Sequence, residues 1–93
     1  MPTQINQIDD EERGITIFRV DGEMFREDAE LLGRIAAAAQ AESGNSITID
    51  LADLDFLDSE SATVLMKLER ENGFEIVGTE IFLQTVVNVA ERQ

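Results

Sequence analysis

Residues 46–51, SITIDL, and 74–77, FEIV, are two β-rich runs with a helical repeat between them. In an extended chain Ile47, Ile49 and Leu51 share one face, and Thr48 and Asp50 share the other. From about Ser59 the period changes. Ala62, Leu65, Met66 and Glu69 mark one side of a helix, with Leu68 flanking, and Asn72-Gly73 ends it. A strand, a helix and a strand in that order imply a crossover connection and at least partly parallel pairing. The crossover is expected to be right-handed. Its helix begins at the carboxyl end of a strand, where open α/β sheets place their sites.

The rest of the chain fits this unit. Residues 3–8, TQINQI, read as a short first strand, and DDEERG is a polar turn closed by Gly14. Residues 15–20, ITIFRV, are rich in β-branched side chains and predict a second strand, with Asp21-Gly22 as a turn signal. A helix follows, with Asp28 as its cap and Glu30 in its first turn. Leu32, Ile35, Ala36 and Ala39 give it one apolar face, and Gly44 supplies a left-handed end. Its run of alanines at 36–39 is slim enough for close approach to a sheet. Residues 52–58, ADLDFLD, read as an acidic loop with Phe56 and Leu57 as apolar anchors. A last helix is expected from Thr79, with Phe82 or Leu83, then Val86, Val87 and Ala90 as its stripe. The order is β-β-α-β-α-β-α. The expectation is a single α/β domain over residues 1–93: a small mixed sheet of about four strands, with about three helices mainly on one face.

Charge narrows the partners. Twenty acids face seven bases, a net charge of −13, and Lys67 is the only lysine. Such a field repels phosphate backbones and anionic lipid, so no nucleic acid is expected as a partner. No apolar run reaches the ~20 residues of a membrane helix, so direct membrane insertion is not expected either. The start, MPTQINQ, carries neither a basic region nor a hydrophobic one, and a cytoplasmic location is expected. With no cysteine there are no disulfides, thiolate metal sites or thiol nucleophiles. With no histidine there is no obvious base near neutral pH. No nucleophile–base pair can be named, so no catalytic residue and no enzyme activity is expected.

The stretch around Ser59 holds the candidates. Asp50, Asp53, Asp55, Asp58 and Glu60 invite comparison with a cation loop. A calcium loop begun at Asp53 would need an oxygen ligand where Leu57 stands and a glycine where Asp58 stands, so that pattern fails. A looser magnesium site is an open alternative to a solvated turn, although no metal or other cofactor is expected. There is no Gly-rich phosphate loop to support nucleotide binding. Asp58 or Ser59 can cap the following helix, a contribution of about 1 kcal/mol. The same position also suits a phosphoserine, because a helix N-terminus offers unpaired N–H groups and positive potential. Asp58 and Glu60 oppose it by like-charge repulsion.

SITIDLADLDFLDSESATVLMKL resembles the signature of STAS domains, the fold of bacterial anti-sigma factor antagonists. In that family a strand ending Asp-Leu leads to an apolar pair, then to Asp-Ser-(Ser or Thr)-Gly-Leu at a helix start. Asp50-Leu51, Phe56-Leu57 and Asp58-Ser59 match in order and spacing, and DGEMF resembles the family's early strand–turn–helix. The resemblance implies a protein–protein interaction module whose partner is both serine kinase and anti-sigma factor. By position Ser59 would be the phosphorylated residue, and phosphorylation would break the complex. Asp50 and Asp58 would shape its surroundings. The docking face would be the helix it opens, including Glu60, Ser61 and Ala62. Glu60 and Ser61 stand where the family has Ser or Thr and then Gly. Glu60 sets a permanent negative charge beside the acceptor, and the side chain of Ser61 falls where a partner would pack closely. These departures motivate an alternative: a constitutive STAS subunit of a lipid-transport ABC complex, without phosphorylation. Neither the partner's identity nor the oligomeric state is written in the sequence.

Overall fold

The computed structural model describes residues 3–78. The elements are β1 (Gln4–Asp10), β2 (Ile15–Met24), α1 (Arg26–Ser43), β3 (Ser46–Asp50), β4 (Leu54–Leu57), α2 (Ser59–Asn72) and β5 (Glu75–Val77). They form a mixed five-stranded sheet in the order β1-β2-β3-β5, with β4 also on β2. β1 and β2 are antiparallel, and every other pairing is parallel. β3 accompanies β2 as far as the Arg19–Asp50 pair, and β4 resumes at Gly22–Leu54.

The core follows from strand alternation. Thr16, Phe18, Val20 and Met24 point to one face of β2 and are at most 1 % exposed. Paired residues share a face, so Phe18, Ile49 and Ile76 make a continuous buried row across three strands. α1 adds Ala29, Leu32 and Ala36, and α2 adds Ala62 and Leu65 to the same cluster. Both described helices thus bury their apolar residues on one face of the sheet. They meet where Gly33 faces Leu68: a Cβ on Gly33 would lie 2.9 Å from a Leu68 methyl carbon.

Several expectations are corrected. Asp21-Gly22 is not a turn. β2 runs through it to Met24 with Gly22 at φ 88°, and just past Gly22 the register against β4 shifts by one residue, Asp55 being the extra residue on β4. Asp28 is not the cap of α1. Phe25 holds that position, and Asp28 accepts the Phe25 N–H from the first turn at 3.0 Å. The acidic loop contains β4, which is why five strands are present where about four are expected. Of its two anchors, Leu57 is buried and Phe56 is exposed. On α2 the buried side is Ser61, Ala62 and Leu65, with Leu68 half-buried; Met66 and Glu69 face outward. The helix expected from Thr79 lies outside the described residues, which contain two helices.

Candidate functional site

The site is built where β2, β4 and α2 converge. β3 ends at Asp50, and the chain turns at once. Asp50 Oδ1 accepts the Ala52 N–H at 3.0 Å, and the Leu54 N–H reaches the Leu51 carbonyl at 3.1 Å. β4 then carries the chain along Gly22–Met24 to the start of α2. The Met24 carbonyl anchors this start. It accepts the Asp58 N–H at 3.4 Å and the Ser61 hydroxyl at 3.1 Å.

Asp58 is the N-cap. Its backbone is extended, and its Oδ1 accepts the Ser61 N–H at 2.8 Å. The cap therefore does not use the Ser59 hydroxyl. Ser59 is the first residue of α2, it is exposed, and its hydroxyl has no hydrogen bond among the described residues. Its carbonyl accepts the Thr63 hydroxyl at 3.0 Å. Two substitutions should separate the roles. Asp58→Ala is expected to cost about 1 kcal/mol through the lost cap. Ser59→Ala is expected to stay within about 0.5 kcal/mol of the parent in urea unfolding, as surface changes do.

The other candidates fall in different places. Glu60 is exposed beside Ser59. Ser61 and Ala62 turn inward, at 0 % and 5 % exposure, so they support the helix start rather than line its outer surface. The side chain standing in place of the family glycine is thus occupied inside the fold. Asp50 is not beside Ser59. It lies opposite Arg19, five residues along β2 from Met24, or about 16 Å of strand. Its Oδ2 is 3.7 Å from Arg19 Nε. Among the described residues no group of three or more Asp or Glu side chains is placed to hold a metal ion.

The contact between two exposed aromatic residues is not legible in the sequence. Phe25 and Phe56 are 48 % and 42 % exposed, and their rings are in contact with centroids 5.6 Å apart and planes tilted by 45°. Beside them Arg26 Nε meets Glu30 Oε1 at 2.7 Å. That hydrogen bond, then the charges of Glu30 and Glu60, hold the Arg26 pKa above its ordinary value. No helix among the described residues is long and apolar enough to cross a membrane.

The family model described as STAS domain matches residues 7–85. No curated protein matches the chain. Among solved structures it is similar to the STAS domain of an antisigma-factor antagonist from Rhodobacter sphaeroides. The identity is 22 %, covering 85 % of this chain and 89 % of that one, with a TM-score of 0.59. It is similar to the anti-sigma factor antagonist SpoIIAA in its unphosphorylated form, at 20 % identity over 75 % of this chain and 62 % of that one, TM-score 0.55. An uncharacterized DUF3478-family protein with a SpoIIAA-like fold, from Shewanella loihica, aligns at 24 % identity over 95 % and 75 %, TM-score 0.60. At these identities the structural likeness speaks for the fold.

Proposed function

The chain belongs to the STAS domain family, and from that premise we propose that it is a cytoplasmic protein-binding module of the anti-sigma factor antagonist kind. Its partner is an anti-sigma factor that is also a serine kinase, and Ser59 is the residue that partner modifies. One observation carries this: Asp58 performs the capping, so an exposed serine whose hydroxyl has no hydrogen bond among the described residues stands at a helix N-terminus without being needed for the cap. Similarity to two anti-sigma factor antagonists supports a protein partner.

The electrostatics are mixed. A phosphate on Ser59 would meet the first-turn N–H groups and the positive end of the α2 dipole. It would add a charge of about −1.5 to −2 beside Asp58 and Glu60. The modified form is therefore strongly negative around residue 59, which suits release of a partner by repulsion and desolvation cost. A kinase acting here needs a basic surface to approach a chain of net charge −13.

The test uses the full chain, a candidate anti-sigma factor kinase from the same organism, and ATP. Mass spectrometry is expected to place one phosphate on Ser59, with none on Ser59→Ala. Sedimentation is expected to show a complex with the unmodified chain that the phosphorylated chain does not form. Absence of both the labelling and the complex would refute the proposal. Glu60 favours a second reading, because it already gives the surface a permanent negative charge. There the chain is a constitutive subunit of a lipid-transport ABC complex. Recovery of a transporter ATPase in a complex that Ser59→Asp leaves intact would support that reading over the first.

A further inference from the structure

An apolar ring is a poor helix cap. Ser, Thr, Asp and Asn are preferred because their oxygens accept a first-turn N–H, and a phenylalanine can accept none. Phe25 nevertheless holds the N-cap of α1, makes no side-chain cap bond and leaves nearly half its surface in water. Phe56 is the second anomaly. β4 is short, and Leu54 and Leu57 supply its burial while Phe56 projects outward. Neither ring is where folding alone would put it, yet the two touch.

We propose that Phe25 and Phe56 together anchor a partner protein, and that the partner offers an apolar pocket rimmed by Arg or Lys side chains. This rests on the docking role given above to the surface around Ser59. The place agrees. Phe25 follows Met24, whose carbonyl holds Asp58 and Ser61, and Phe56 lies three residues before Ser59. Partner and switch would thus occupy one continuous surface. Aromatic side chains are enriched in interface cores, where a few well-packed anchors carry most of the affinity.

Charge selects the occupant. Glu27, Asp55 and Glu60 are exposed around the pair, and Asp58 is partly so. The cation at hand, Arg26, is engaged by Glu30. A second copy of this chain would bring the same negative rim against itself, and anionic lipid would be repelled. A pocket with basic edges satisfies both the rings and the rim, and it gains association rate from the field.

A phage-displayed library of random peptides, panned on the immobilised full chain, provides the probe. Selected peptides are expected to carry Leu, Ile, Met or aromatic residues flanked by Arg or Lys. Their affinity is expected to fall about tenfold or more on Phe25→Ser and on Phe56→Ser. It should be unchanged on Ile8→Ser, an exposed apolar residue on β1. Phe25→Ser installs a capping residue, so its thermal transition should not collapse and its binding loss is interpretable; Phe56→Ser is the independent second variant. No enrichment, acidic peptides, or peptides that bind both phenylalanine variants normally would overturn the anchor. So would a homodimer in sedimentation equilibrium that Phe56→Ser dissociates. Ser59→Asp separates the two proposals. Binding lost on the phenylalanine variants but kept on Ser59→Asp supports the anchor and sinks the switch. The reverse pattern overturns the anchor and leaves the switch standing.

Discussion

Gly78→Ala is expected to cost about 3 kcal/mol or more, because two penalties coincide. Gly78 has φ +72°, where a Cβ crowds the following carbonyl, at a cost of about 1–2 kcal/mol. The added carbon would also overlap the Ala52 nitrogen and lie 2.8 Å from the Ala52 Cα. These are backbone atoms of the turn after β3, held by the Leu51 N–H on the Val77 carbonyl at 3.0 Å and by Asp50 on Ala52. Nothing there is the loose end of a side chain, so the turn or the β5 edge must move. For a domain of this size the melting temperature should drop by more than about 10 °C. Gly33→Ala is the matched control. Its Cβ would meet a Leu68 methyl at 2.9 Å, but that methyl can rotate away. Alanine also gains up to about 1 kcal/mol over glycine inside a helix. A change of less than about 1 kcal/mol is expected there. A Gly78→Ala protein that melts with the parent would show that β5 and the 51–53 turn are not in this contact.

What could be read from the sequence was whatever rests on period and on end signals. β3 is legible because Ile47 and Ile49 alternate with polar residues and are buried in fact. The end of α1 is legible because Gly44 takes the left-handed conformation its position asks for and returns its N–H to the Gln40 carbonyl. What failed were places where one local signal serves two geometries. Asp-Gly marks a turn when the chain reverses, yet here the strand runs through it, and only the arrival of β4 beside Gly22 decides. β4 itself is too short to show a period among aspartates. It is a strand because β2 offers it a free edge beyond Arg19, a fact of tertiary structure.

The site divides the same way. The Asp58-Ser59 junction at a helix start is legible, since capping chemistry is local. The inward turn of Ser61 is not, because its partner is the Met24 carbonyl, distant in sequence. Nor is the separation of Asp50 from Ser59, since nearness along the chain is undone when β4 carries it forward along β2. Phe56 reads as an anchor beside Leu57, but apolar neighbours at 56 and 57 cannot both face inward from one strand. Leu57 takes the core, and Phe56 is left to the surface.

Phe18→Ala is expected to remove about 3–5 kcal/mol, while Ile17→Ala one residue away is expected to remove about 1 kcal/mol. Both sit in β2 and both are apolar, so composition cannot tell them apart. Register can. Phe18 is fully buried beneath the helices, opposite Ile49, which continues the row to Ile76. Truncating it opens a cavity against rigid strand neighbours that cannot collapse into the space. Ile17 points to the other face, opposite Ile8 and Thr48, and is only half-buried. A small domain holds a total stability of roughly 5–14 kcal/mol, so the first change takes a large share and the second is minor. Urea unfolding with an unchanged m-value would measure both. Because the strand period is two, a shift of β2 by one residue would exchange the two results. Equal losses, or a larger loss at Ile17, would mean that the helices cover the opposite face and that α2 does not start over Met24. The exposed Ser59 and the touching phenylalanines would then lose the scaffold that brings them together.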